Sequence, residues 1–104
     1  GMGNMGAMMK QAQKMQKQMA ETTKALEEKS YEASAGGGVV SVTVSGKKEV
    51  TAIKIAEEVV DPDDIEMLED LIMAATNEAF RAMEADSQAQ MSKLTGGLGG
   101  GFGF

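Results

Sequence analysis

Between Met5 and Lys29, the positions Met5, Met8, Ala12, Met15, Met19, Thr22 and Leu26 recur at alternating spacings of three and four. That period places them in a narrow seam along one side of an α-helix. No Gly or Pro interrupts the stretch after Gly6, so it predicts one helix about 37 Å long. A seam this narrow suits packing against one other helix better than lying on a sheet. Its side chains specify geometry loosely, because Ala12 and Thr22 bury little and Met is adaptable.

The period then changes to two. Strands are predicted at Tyr31–Ala35, Val39–Ser45 and Glu49–Ile55. In the second, Val40, Val42 and Val44 point one way and Ser41, Thr43 and Ser45 the other. Gly36-Gly37-Gly38 marks the first turn, and Ser45-Gly46 the second, where Gly46 is expected to supply the positive φ of a tight hairpin. The result is a three-stranded antiparallel meander. A helix start follows at Asp61-Pro62-Asp63-Asp64, with Asp61 as the expected cap, Pro62 at the first helical position and Asp64 closing a capping-box-like contact. Asp63, Asp64 and Glu66 set negative charge at the positive end of that helix's dipole. Ile65, Leu68, Ile72, Ala75, Ala79 and Met83, with Leu71 and Phe80 beside them, form the face expected to cover the sheet. Past Met83 the pattern thins, so the last turns are expected to leave the core and project beside the first helix. Six of the nine residues from Gly96 are Gly, which reads as a flexible tail over 96–104. Gly1 ahead of Met2 reads as a tag remnant, 1–4 as a disordered start and 5–95 as the single domain.

Three segments in this order resemble the YbaB/EbfC family of small bacterial nucleoid-associated proteins: AGGG before a VxVxVxG strand, DPDDIEMLEDLI opening the last helix, and the ending KLTGGLGG. The likeness covers roughly residues 5 to 100. It implies an α+β fold (long N-terminal helix, three-stranded antiparallel sheet, long C-terminal helix) paired as a homodimer whose helical arms project like tweezers and engage duplex DNA. A separate physical reason for pairing is that one helix covers only one face of a sheet that has two.

The 104 residues allow one domain, and an apolar fraction of 42% suffices for a modest core. The net charge of −6 is uneven. Residues 1–30 sum to +2, with five lysines against three acids; residues 31–60 sum to −1; residues 61–104 sum to −7, with nine acids against Arg81 and Lys93. The chain is basic at its beginning and acidic at its end, so its mean charge does not argue against a nucleic-acid partner. There is no Cys for a disulfide or thiolate site, no apolar run near the ~20 residues of a membrane span, and no signal-peptide layout; a cytoplasmic location is expected.

Without His or Cys, the usual general base, thiol nucleophile and soft metal ligands are missing, and no enzyme, cofactor or metal site is expected. Counted as an EF-hand from Asp61, the acidic run puts Glu66 where Gly is needed and Ile72 where the bidentate Glu belongs, so it reads as a solvated helix start. Gly46-Lys47 lacks the rest of a P-loop. The lysines of the first helix are more specific. Lys10, Lys17 and Lys24 repeat every seven residues, Lys14 lies on the same side, and all stand opposite the Met seam; Gln11, Gln13, Gln16 and Gln18 fill the flanks. Taken alone, this is either a solvated outer face or a surface for phosphates and base edges. With the resemblance, Lys10, Lys14, Lys17 and Lys24 become the expected DNA contacts. Lys47 and Lys48 form a smaller basic spot at the second hairpin; they read first as turn lysines that aid solubility, with a DNA contact as the lesser alternative. No helix-turn-helix, zinc finger or aromatic platform is present, which implies mostly backbone contact with relaxed sequence preference, compacting DNA or modulating expression in the nucleoid. The alternative is a homo-oligomeric adaptor whose Met-rich helix docks a replication or recombination protein, since family members are encoded near such genes. Neither reading calls for a membrane or a small-molecule substrate.

Overall fold

The computed structural model describes the backbone of residues 2–99 and the side chains of residues 5–96. Its elements are α1 (Met2–Glu27), β1 (Ser30–Ala35), β2 (Val40–Ser45), β3 (Val50–Ile55), a 3₁₀ turn (Glu57–Val59) and α2 (Ile65–Gly99). The sheet has the order β1-β2-β3, and both pairings are antiparallel. The α+β class and the helix–three strands–helix order agree with the expectation.

The core forms where the two periods meet. Val40, Val42 and Val44 are fully buried, and Ala75, Ala79 and Met83 of α2 close over them, with Val59 at the edge. Burying each valine contributes about 1.5–3 kcal/mol. Two alanines one helical turn apart let the α2 backbone settle close to the strands. Tyr31, Ala33, Leu68, Leu71, Ile72 and Phe80 pack around this centre half-buried. Ile65, expected on that face, is instead 51% exposed, because the helix starts there and its first turn overhangs the sheet.

Three further boundaries differ from expectation. Asp61 caps a turn rather than the helix: its carboxylate accepts the Asp63 N–H at 2.9 Å and its carbonyl accepts the Asp64 N–H at 2.9 Å. Asp64 is the cap of α2, accepting the Met67 N–H three residues on at 3.2 Å. The two aspartates lie three apart, so either register satisfies a local capping pattern, and the packing of Leu68 and Ile72 selects the later one. The first helix begins at Met2, takes in residues expected as a disordered start, and ends at Glu27 rather than Lys29. At the other end α2 continues through Gly96 to Gly99; glycine inside a helix costs only about 1 kcal/mol, which disfavours helix without forbidding it. Gly1 and the remainder of the expected tail, 100–104, lie outside the described residues.

The β2–β3 turn also departs from expectation. Gly46 does not have positive φ; Lys48 does, at 67°. Gly46 serves close approach instead. A Cβ there would fall on the Leu26 carbonyl oxygen and lie 2.9 Å from the Glu27 Cα, while the Gly46 N–H donates to the Lys29 carbonyl at 3.0 Å. The first turn behaves as expected, with Gly36, Gly37 and Gly38 at φ of 64°, 75° and 99°. One residue, Thr51, bulges from β3 between the Thr43–Ala52 and Val44–Val50 pairs, and its hydroxyl donates to the Thr43 carbonyl at 3.2 Å.

Replacing Gly46 by Ala is expected to destabilise the fold by about 1–3 kcal/mol, since the obstacle is backbone and not a side chain that can swing away. The thermal midpoint should fall by about 4–8 °C for each kcal/mol. An unchanged midpoint would mean the turn does not press on α1.

Candidate nucleic-acid interface

Among its described residues, helix α1 is fully buried only near its C-terminal end. Leu26 is its buried residue; Thr23, Leu26 and Glu27 face the β2–β3 turn and Ser87 and Met91 of α2 across a shallow hollow. Every described residue from Met5 to Lys14 is exposed. The molecule is accordingly elongated, 75 Å along its longest axis.

Lys10, Lys14, Lys17 and Lys24 are all exposed, and among the described residues none of them takes part in an ion pair. At about 100° per residue their mean direction lies about 190° from that of the Met seam. Lys10 and Lys24 are about 21 Å apart along the helix, close to the axial rise of six base pairs. The row is not uniform: Glu21 falls on the same side, between Lys17 and Lys24, so Lys10, Lys14 and Lys17 form its acid-free part. The seam on the opposite side is filled only towards its end. Leu26 is buried and Met15 and Thr22 are half-buried, while Met5, Met8 and Met19 are 66%, 69% and 40% exposed.

The root of α1 is held by a polar cluster that has no local signal in the sequence. The Tyr31 hydroxyl and the Lys29 ammonium both donate to Asp86 Oδ2, at 2.6 and 2.9 Å, and the Gln90 amide donates to Asp86 Oδ1 at 3.2 Å. These bonds tie the α1–β1 junction to the point where α2 leaves the sheet. The hydrogen bonds from Tyr31, Lys29 and Gln90 draw the Asp86 carboxyl down to about 2. Burial, then the bond and the charge of Asp86, push the Tyr31 hydroxyl up to about 12. Tyr31 and Asp86 are 55 residues apart, beyond the reach of any periodicity.

Among the described residues no group of His, Cys, Asp and Glu is placed to hold a metal ion, and no helix is long and apolar enough to cross a membrane. Comparison with known proteins agrees with the fold. The model of the YbaB/EbfC DNA-binding family matches residues 2–98. A protein of Agathobacter rectalis named as a nucleoid-associated protein is 71% identical over 95% of this chain and 88% of its own length. A second of that name, from Lachnoclostridium phytofermentans, is 66% identical over 97% of this chain and 87% of its own. The chain belongs to the YbaB/EbfC DNA-binding family. The family fold is also seen in the crystal structure of an uncharacterised Helicobacter pylori protein, with a TM-score of 0.71 and 21% identity over 84% of this chain and 91% of that one. The family is a DNA-binding one, and these relatives carry the name nucleoid-associated protein.

The Asp86 cluster gives a signed pH dependence. A carboxyl whose folded pKa is depressed adds stability that is present above its ordinary value, 3.8, and fades as the pH falls towards about 2. Asp86→Asn is expected to lower the thermal midpoint at neutral pH, and its curve should meet that of the unaltered protein between about pH 4 and 2. Parallel curves through that window would exclude Asp86 as the source. At the alkaline end the sign reverses: Tyr31 favours the fold while neutral, and its contribution fades as the pH rises from 10 towards about 12.

Proposed function

We propose that this protein acts without catalysis as a homodimeric DNA-binding component of the nucleoid. It grips the phosphate backbone through the lysine face of α1 with relaxed sequence preference, and so compacts DNA or modulates expression. The observation that carries the reading is the exposed row Lys10, Lys14 and Lys17, without ion pairs among the described residues, on a helix that stands clear of the core. Lysines free of internal partners exchange condensed counterions on a duplex for their own charge, and that release drives binding. Lys24 contributes less in this scheme, because Glu21 offsets it.

Pairing is supported by the sheet. The register sets Val50, Ile53 and Ile55 beside Val44, Val42 and Val40 on the face that α2 covers, yet α2 lies over β1 and β2 and leaves the β3 row exposed. Ile53 is 47% exposed, and Ile65 and Met73 of α2 stay open as well. A second copy is the occupant that would cover this row and set two arms side by side. The adaptor reading keeps one specific support, the groove on α1 lined by Met8, Gln11, Ala12 and Met15.

Two measurements test this. Anisotropy of a labelled duplex of about 30 base pairs, at salt from about 20 to 200 mM, should show affinity falling linearly on logarithmic axes. The Lys10→Ala, Lys14→Ala, Lys17→Ala triple variant should weaken binding to every sequence and flatten the slope by about 0.9 for each phosphate it no longer neutralises. Undiminished binding would remove α1 from DNA contact and turn attention to the Met groove. Light scattering should give a mass near twice 10.9 kDa, reduced to one copy by Ile53→Glu; a monomeric unaltered protein would rule out the paired arms.

A further inference from the structure

The β2–β3 turn carries a residue its geometry does not favour. The Ser45 carbonyl accepts the Lys48 N–H at 2.9 Å, the Ser45 N–H donates to the Glu49 carbonyl at 2.8 Å, and the Ser45 hydroxyl oxygen accepts the Lys47 N–H at 3.2 Å. This is a three-residue hairpin loop ending in a left-handed position, where glycine is the usual occupant. Here that position holds Lys48, at a φ of 67°. A side chain disfavours this conformation through its Cβ. The loop's one glycine stands two positions earlier, where contact with α1 requires it.

Among the described residues, no side-chain contact compensates for Lys48. Lys47 and Lys48 are both exposed, and among the described residues neither lysine side chain makes an ion pair or a hydrogen bond. Both line the hollow at the root of α1 with Thr23, Leu26 and Glu27. Because Gly46 is pressed against the α1 carbonyls, the two ammonium groups are carried on a backbone fixed relative to the lysine row of the arm. Glu27 and Glu49 flank them, and Lys24 and Lys29 lie on the adjoining end of α1 and just beyond it.

We propose that Lys47 and Lys48 form a second phosphate-binding site, which takes the DNA backbone at the root of the arm, on the side of α1 turned away from the row of Lys10, Lys14 and Lys17. Strain kept at an exposed, internally unpartnered cation is accounted for by a partner outside the chain. The site rests on the DNA-binding reading above and adds phosphate neutralisation that the arm alone does not supply.

The test uses the full chain, the same duplex and the same salt series, with Lys48→Gly and Lys47→Ala made separately. Lys48→Gly relieves the turn, so its thermal midpoint should rise by about 4 °C. Its salt slope should nevertheless flatten by about 0.9 and its affinity fall. Lys47→Ala should show the same weakening without the gain in midpoint. A variant that folds better and binds worse cannot be explained by unfolding. Wild-type affinity and slope in both variants, with the α1 triple variant weakened, would overturn the turn site and leave the arm intact. Absence of binding by the unaltered protein would overturn the DNA-grip reading and this site together.

Discussion

The placement of α1 depends on a junction of very few atoms. Gly46 must lack a side chain for the β2–β3 turn to reach the carbonyls of Leu26 and Lys29, and Asp86 must sit where Tyr31, Lys29 and Gln90 converge. The core itself, three valines beneath two alanines and a methionine, lies apart from that junction. It would not define where a helix about 39 Å long points, since among its described residues α1 buries only Leu26. Direction on this molecule is decided by polar contacts and one close approach, and stability by apolar burial.

This division explains what was legible in the sequence. The valine alternation and the spacing of Leu68, Ile72, Ala75, Ala79 and Met83 are local periodicities imposed by burial, so the strands and their covering helix follow directly from them. Errors arise where local chemistry offers two solutions. Asp61 and Asp64 each satisfy a cap, and only packing tells them apart. Gly46 is a turn signal by composition, yet its reason is a neighbour nineteen or twenty residues earlier, while the left-handed position falls to a lysine.

The candidate interface shows the same split. Lys10, Lys14, Lys17 and Lys24 are visible as a row because helical phase is local, and that they stand free of ion pairs among the described residues becomes apparent only in three dimensions. The cluster at Asp86 has no counterpart in any sequence pattern, because its partners come from both ends of the chain. The exposed apolar row of β3 is likewise hidden: Val50, Ile53 and Ile55 look like core residues until α2 is seen to lie elsewhere.

The order of charge along the chain becomes a separation in space. Thr23 and Glu27 adjoin Met91 and Ser87, so α1 runs alongside the outgoing half of α2. The acidic start of α2 is left about 33 Å from Asp86, on the opposite side of the sheet's span. A duplex's field therefore repels one end of this body and attracts the other before any contact is made, and the resulting torque turns it arm-first. Fewer encounters are wasted on the wrong orientation, and the advantage fades once salt shortens the Debye length to about 10 Å, well below the length of the molecule.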